Sequence, residues 1–172
     1  MTKVAAIGPR AIDAETAALA ERVGAYMVSK GFALATGNAE GSDQAFARGA
    51  NRVNAMSVML FLPWLRYNEK AIHRDNMIIV EIGDRLLEWA EIAVECHPYP
   101  GRLSATARML LTRNVGIISN SSQIILADSP REDGKGGTAH ACRVAKHLGI
   151  NNIINLASEA DRKRVLAKME AA

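Results

Sequence analysis

Short apolar runs closed by glycine or proline alternate along this chain with longer stretches of helical periodicity. Lys3–Ile7 is apolar after its first residue, ends at Gly8 and predicts a buried strand. Asp13 offers an N-cap to a helix running to Lys30, with Ala17, Val23, Tyr26 and Met27 at helical spacing and Gly31 closing it. Phe32–Thr36 reads as a second strand and Gly37–Gly41 as the turn after it. Ser42 predicts the cap of a short helix over Asp43–Gly49, and Ser57–Leu62 is a third strand, stopped by Pro63.

The next segment is less regular. Trp64–His97 reads as mostly helical, broken around Arg74-Asp75-Asn76, with Met77–Val80 as a buried turn and Arg85–Val94 as an amphipathic helix. His97-Pro98-Tyr99-Pro100-Gly101 breaks the pattern. Ser104–Asn120 is helical again, Gln123–Asp128 is a fourth strand, and Thr138–Leu148 is a helix backed by Gly149. Ile150–Leu156 is the last strand and Ser158–Glu170 a terminal helix. This alternation predicts a single α/β domain over residues 1–172, Rossmann-like, its mostly parallel sheet covered by helices on both faces.

Ligands of such sheets bind beyond the carboxyl ends of the strands. Here those ends are Gly8-Pro9-Arg10, Gly37–Gly41, Pro63–Asn68 and Ser129–Thr138, so glycines collect on one rim. The loop Asp133-Gly134-Lys135-Gly136-Gly137-Thr138 leads into a helix and has the makings of a phosphate cradle. Gly134, Gly136 and Gly137 let amides approach an anion, and the helix start adds free donors at a positive dipole end. Lys135 adds charge, and Thr138 a hydroxyl or the cap. It is no Walker loop, because GxxxxGK[ST] is absent, and a flexible turn has similar composition.

Other groups share that rim. Gly37, Asn38, Gly41 and Ser42 form a second glycine-bracketed turn, whose Asp43 suits a ribose or the loop's own amides and reads equally as a first-turn acid behind Ser42. Arg10, just past Gly8, suits bidentate phosphate contact or a surface ion pair. Arg113 and Asn114 lie on a helix whose apolar members are Met109, Leu110, Ile117 and Ile118, facing either rim or solvent. Trp64 and Tyr67 flank Arg66 where they would stack on a base, although core packing is the simpler expectation for Trp64. Glu40, Asp43, Glu69 and Asp133 are the nearby carboxylates, and no nucleophile–base pair stands out.

Composition narrows the classes. Apolar residues make up 49% and charged residues 23% of 172 residues, ordinary for a globular protein able to bury roughly 70% of its unfolded surface. The net charge of +3, from 21 basic and 18 acidic residues, does not announce nucleic-acid binding and does not oppose an anionic ligand. Cys96 and Cys142 read as free thiols of a reducing compartment. With no signal peptide and no apolar run of about 18 residues, the expectation is a cytoplasmic protein off the membrane. His73, His97, His140 and His147 lack metal-ligand spacing, so neither metal nor cofactor is expected. Apolar residues within Ile78–Val94 suggest a homodimer seam or a core helix.

Taken together, these segments resemble the SLOG superfamily, which includes DNA-processing protein A, the LOG-type phosphoribohydrolases and small phage-type relatives. Ile7-Gly8-Pro9-Arg10 stands where the family has a G-S-R turn. Thr36-Gly37-Asn38-Ala39-Glu40-Gly41-Ser42-Asp43-Gln44-Ala45-Phe46 is similar to S-G-G-A-x-G-A-D-x-A-F and is the most specific match. Leu62-Pro63-Trp64 with Tyr67-Asn68 resembles the phage-type L-P-W-x-x-[FY]-N, and Arg113-Asn114 with Ile117-Ile118-Ser119 the R-N-x-I-I-A-x-x-S of DNA-processing protein A. LOG-type enzymes carry P-G-G-x-G-T-x-x-E with a catalytic glutamate, where this chain has Ala141. The resemblance, over roughly residues 3–156, implies a core that binds a phosphate-containing partner, a nucleotide or single-stranded DNA. The alternative is a divergent nucleoside-monophosphate phosphoribohydrolase in which Glu40 or Asp43 replaces the missing glutamate.

Overall fold

The computed structural model describes residues 1–80 and 84–171. Six strands, β1 (Lys3–Ile7), β2 (Ala33–Thr36), β3 (Val58–Phe61), β4 (Met77–Ile79), β5 (Gln123–Leu126) and β6 (Ile153–Asn155), form one sheet in the order β4-β3-β2-β1-β5-β6. Every pairing is parallel, with Val4 beside Leu34 on one flank of β1 and Gln123 on the other. The helices are α1 (Ala14–Ser29), α2 (Ser42–Asn54), α3 (Asp84–Glu95), α4 (Ala105–Ser119), α5 (Gly137–His147) and α6 (Glu159–Glu170).

Strand side chains alternate between two apolar layers, as the pleat requires. Val4, Ala6, Leu34, Val58 and Leu60 pack with Val23 and Phe46 of α1 and α2. Ala5, Ile7, Ala35, Met59 and Phe61 pack on the opposite face with Trp89, Val115, Ile118 and Val144 from α3, α4 and α5. The order reverses at β1, whose neighbours are β2 and β5. A crevice therefore opens between the loops that follow β1 and β5.

Several expectations need correction. Met77–Val80 is no buried turn: Met77–Ile79 is an edge strand that leaves Met77 and Ile78 exposed. Its paired isoleucines favour a strand, and three residues are too few to show a period. The stretch 64–76 is not helical. It runs as turns around one 3-10 turn at Glu69–Ala71, with Arg66 (φ 68°) and Asn68 (φ 49°) left-handed. Trp64 does not enter the core; it is 36% exposed and sets its ring edge-on to Tyr67, with centroids 5.0 Å apart. Helix α2 passes Gly49 and ends at Asn54, because Gly49 lies against the Glu21 carbonyl of α1 instead of ending the helix. Ser42 is not its cap; Gly41 is. Of the apolar stretch 78–94, residues 81–83 lie outside the described residues. Trp89 and Ala93 face the core, while Leu86 and Leu87 are exposed.

Candidate functional site

A cleft of about 490 Å³ occupies the crevice between β1 and β5. Its floor is a buried ion pair. Arg113, on α4, places Nη1 3.5 Å from Asp43 Oδ2 at the start of α2, and the same nitrogen donates to the Gly37 carbonyl. Asp43 also accepts from the Ala39 amide at 3.2 Å. Burial pushes the Asp43 carboxyl up, against the opposing pull of the Arg113 charge and the amides of Ala39, Gly37 and Gly8. Gly37 has no side chain because a Cβ there would overlap the Arg113 guanidinium. The guanidinium lies 5.9 Å from the centre of the Tyr67 ring, and its Nε is buried with no partner among the described residues.

One lip is built from two loops locked together. Ser42 gives the Pro9 carbonyl both its amide (3.2 Å) and its hydroxyl (2.8 Å). Gly41, at φ +78°, passes so close to the Arg10 carbonyl that no other residue fits. Asn38 donates to the carbonyls of Tyr67 (2.9 Å) and Asn68 (3.2 Å), and Asn68 returns a bond to the Asn38 carbonyl at 3.0 Å. Gly37, Asn38, Gly41 and Ser42 thus lie beneath the rim and do not line the cleft; Gly8, Arg10, Ala39 and Asp43 do.

The facing wall is the β5–α5 loop. Gly136 is the N-cap of α5, and no side chain caps the first turn. Thr138, two residues further on, is therefore not the cap. Gly136, Gly137 and Thr138 line the cleft with Lys135 beside them, while Gly134 does not. Asn114 Nδ2 reaches the Gly137 carbonyl at 3.4 Å, so Arg113 and Asn114 both face the rim and not solvent. Asp133 bonds Arg131 at 2.7 Å and accepts the Lys135 amide at 3.0 Å, interactions that lower its carboxyl to about 2.

Leu103, Ala107 and Leu110 supply an apolar wall on α4 and the turn before it. Their helical spacing with Asn114 was the available signal for them; Ser129 and Arg131, also lining, fall in the strand-end stretch Ser129–Thr138, and His97 carries no signal. Among the described lining residues Asp43 is the one carboxylate, and it is committed to Arg113. Glu69 pairs with Arg66, Glu40 lies outside the lining, and Ala141 is wholly buried in the core. A second, apolar groove of about 290 Å³ lies across α4, between the ends of β3 and β4 and helix α3, and Arg113 borders both.

The sequence matches no family model and no curated protein. Solved structures do match. DNA processing protein A from Helicobacter pylori, described for its single-stranded DNA binding mode, superposes with a TM-score of 0.63 at 18% identity, over 97% of this chain and 72% of that one. The molybdenum cofactor carrier protein of Chlamydomonas reinhardtii superposes with a TM-score of 0.56 at 16% identity, over 99% of this chain and 85% of that one. At these identities the likeness is one of architecture, and the chain has the Rossmann-like fold expected from its resemblance to the SLOG superfamily.

Proposed function

We propose that this chain binds a phosphate-bearing ligand, a nucleotide or single-stranded DNA, in the cleft between β1 and β5. The observation that carries the reading is the uncapped start of α5, open to the cleft opposite Arg10 and flanked by Lys135. The amides of Gly136, Gly137 and Thr138, the Thr138 hydroxyl, Lys135 and Arg10 take the phosphate, while Leu103, Ala107 and Leu110 cover a base or sugar. Gly8 and Asn114 shape the cleft, Asp43 and Arg113 form its floor, and Gly37, Asn38, Gly41, Ser42 and Gly134 support it from behind.

Hydrolysis of an N-glycosidic bond is the second reading. It needs a free carboxylate, and the one carboxylate among the described lining residues is buried against a guanidinium. The binding reading is therefore preferred. The exposed edge strand β4, Leu86 and Leu87 of α3 and Met109 surround the apolar groove, and we assign that face to a homodimer. No helix among the described residues is long and apolar enough to cross a membrane. The resemblance of the stretch from Leu62 to Asn68 to phage-type members favours a role in viral recombination or in sequestering a host immune nucleotide.

A thermal-shift screen with nucleoside mono- and diphosphates, cyclic nucleotides and oligo-dT, followed by a base-release assay on each hit, tests both readings. Stabilisation without base release is the expected result. Free base in the assay establishes the enzyme instead, and no stabilisation by any phosphate compound removes both.

A further inference from the structure

The helix that presents the proposed phosphate loop is tied down by two of its own side chains. His140 Nε2 lies 2.9 Å from the Ala93 carbonyl, and Arg143 Nε donates to the Cys96 carbonyl at 2.8 Å. Both acceptors sit at the end of α3, where helical donors run out: the His97 amide turns back to Val94 and leaves Ala93 free for His140. Arg143 has a second prong. Its Nη1 donates to the carbonyl of Gly134, at 2.9 Å, and Gly134 holds the left-handed turn (φ +68°) of the phosphate loop.

A guanidinium is a rigid planar fork, so the two carbonyls it holds keep a fixed separation. The loop between Asp133 and Thr138 contains three glycines, the residues least able to hold one conformation unaided. Asp133 fixes the Lys135 amide and Asn114 reaches Gly137 from the cleft side. Behind the loop, Arg143 is the side chain that joins it to another element. It does not line the cleft.

We infer that Arg143 is a positioning residue: it anchors the Gly134 carbonyl to the end of α3, and so holds the amides of Gly136–Thr138 facing the cleft without touching the ligand. The binding consequence rests on the phosphate reading above; the anchoring itself does not.

The test uses the full chain and the variants Arg143→Ala, Arg143→Lys and Lys135→Ala. Hydrogen exchange without ligand reads the anchor, and titration with fluorescein-labelled oligo-dT at several salt concentrations reads its consequence. In Arg143→Ala, the hydrogen-bonded loop amides of Gly134 and Lys135 should exchange roughly tenfold faster while those of β1 and β5 keep their protection. Its oligo-dT affinity should fall roughly tenfold, with the wild-type salt slope. Lys135→Ala should do the reverse, keeping loop protection and lowering the salt slope by about one phosphate contact. Arg143→Lys keeps the charge without the fork and should behave like the alanine variant. If Arg143→Ala does not fold, Arg143→Gln, with one donor group in place of two prongs, gives the same readings. Unchanged exchange at Gly134 and Lys135 overturns the anchor. A salt slope that falls as in Lys135→Ala overturns it too, because Arg143 would then meet phosphate directly. If the wild-type chain does not bind oligo-dT, the functional reading fails and the exchange measurement still decides the anchor.

Discussion

Arg113 on α4 and Asp43 at the start of α2, 70 residues apart in the chain, meet across the switch point of the sheet with Nη1 3.5 Å from Oδ2, both side chains less than a tenth exposed. Removing one member leaves the other as an uncompensated buried charge, which costs far more than the intact pair contributes. Arg113→Met should therefore lower unfolding stability by about 3–5 kcal/mol, measured by urea titration. The double variant Arg113→Met/Asp43→Leu should recover much of that loss. Equal loss in single and double variants would show that packing, and not the orphaned charge, dominates.

Gly37 is bound to the same pair through the space its missing side chain leaves. Gly37→Ala should displace the Arg113 guanidinium from Asp43 and destabilise the fold by about 3–5 kcal/mol, the range for breaking a buried pair. Gly134→Ala meets no neighbour but must adopt a left-handed φ, so its cost should be about 1 kcal/mol and confined to the loop. Thermal unfolding of both variants distinguishes a core effect from a loop effect.

His140 makes stability depend on pH. Its ring is buried, Nδ1 has no partner among the described residues, and burial lowers its pKa to about 4 from the ordinary 6.5. The folded state thus favours the neutral ring. Its contribution is present in full above pH 6.5 and is lost as pH falls from 6.5 towards 4, by roughly 3 kcal/mol at most. Chemical denaturation at pH 7.5 and 4.5 should show this loss in the wild type and a smaller one in His140→Gln.

The β4 edge and α3 give a prediction about assembly. Leu87 is 64% exposed beside the apolar groove, so Leu87→Glu should leave the fold intact and convert a dimer to a monomer. Sedimentation velocity at several concentrations reads this, and a wild-type chain that sediments as a monomer throughout would contradict the assigned face.

The architecture was legible wherever periodicity extended over enough residues. β1, β2, β3, β5 and the helices between them follow from apolar runs and helical periodicity, and the gathering of glycines on one rim was legible too, but that β1 and β5 border the crevice emerges only from the strand order. What escaped had physical reasons. β4 is three residues long, and the loop from Trp64 to Asn76 is held by side-chain bonds from Asn38 and Asn76 that no local pattern reveals. The turn at Gly37–Ser42 looks in sequence like a second anion loop. Its donors are instead satisfied by Pro9 and Asp43, contacts 33 and four residues away, which only the packed structure supplies.

The proposed ligand site is tested most directly by anisotropy titration of fluorescein-labelled oligo-dT and of a fluorescent nucleoside monophosphate against wild type, Arg10→Ala and Lys135→Ala over a range of salt. Saturable binding of at least one probe is expected, weakened about tenfold in each variant, with the oligo-dT salt slope reduced by about one contact per substitution. Unchanged affinity and unchanged slope in both variants would contradict a phosphate site between Arg10 and the start of α5.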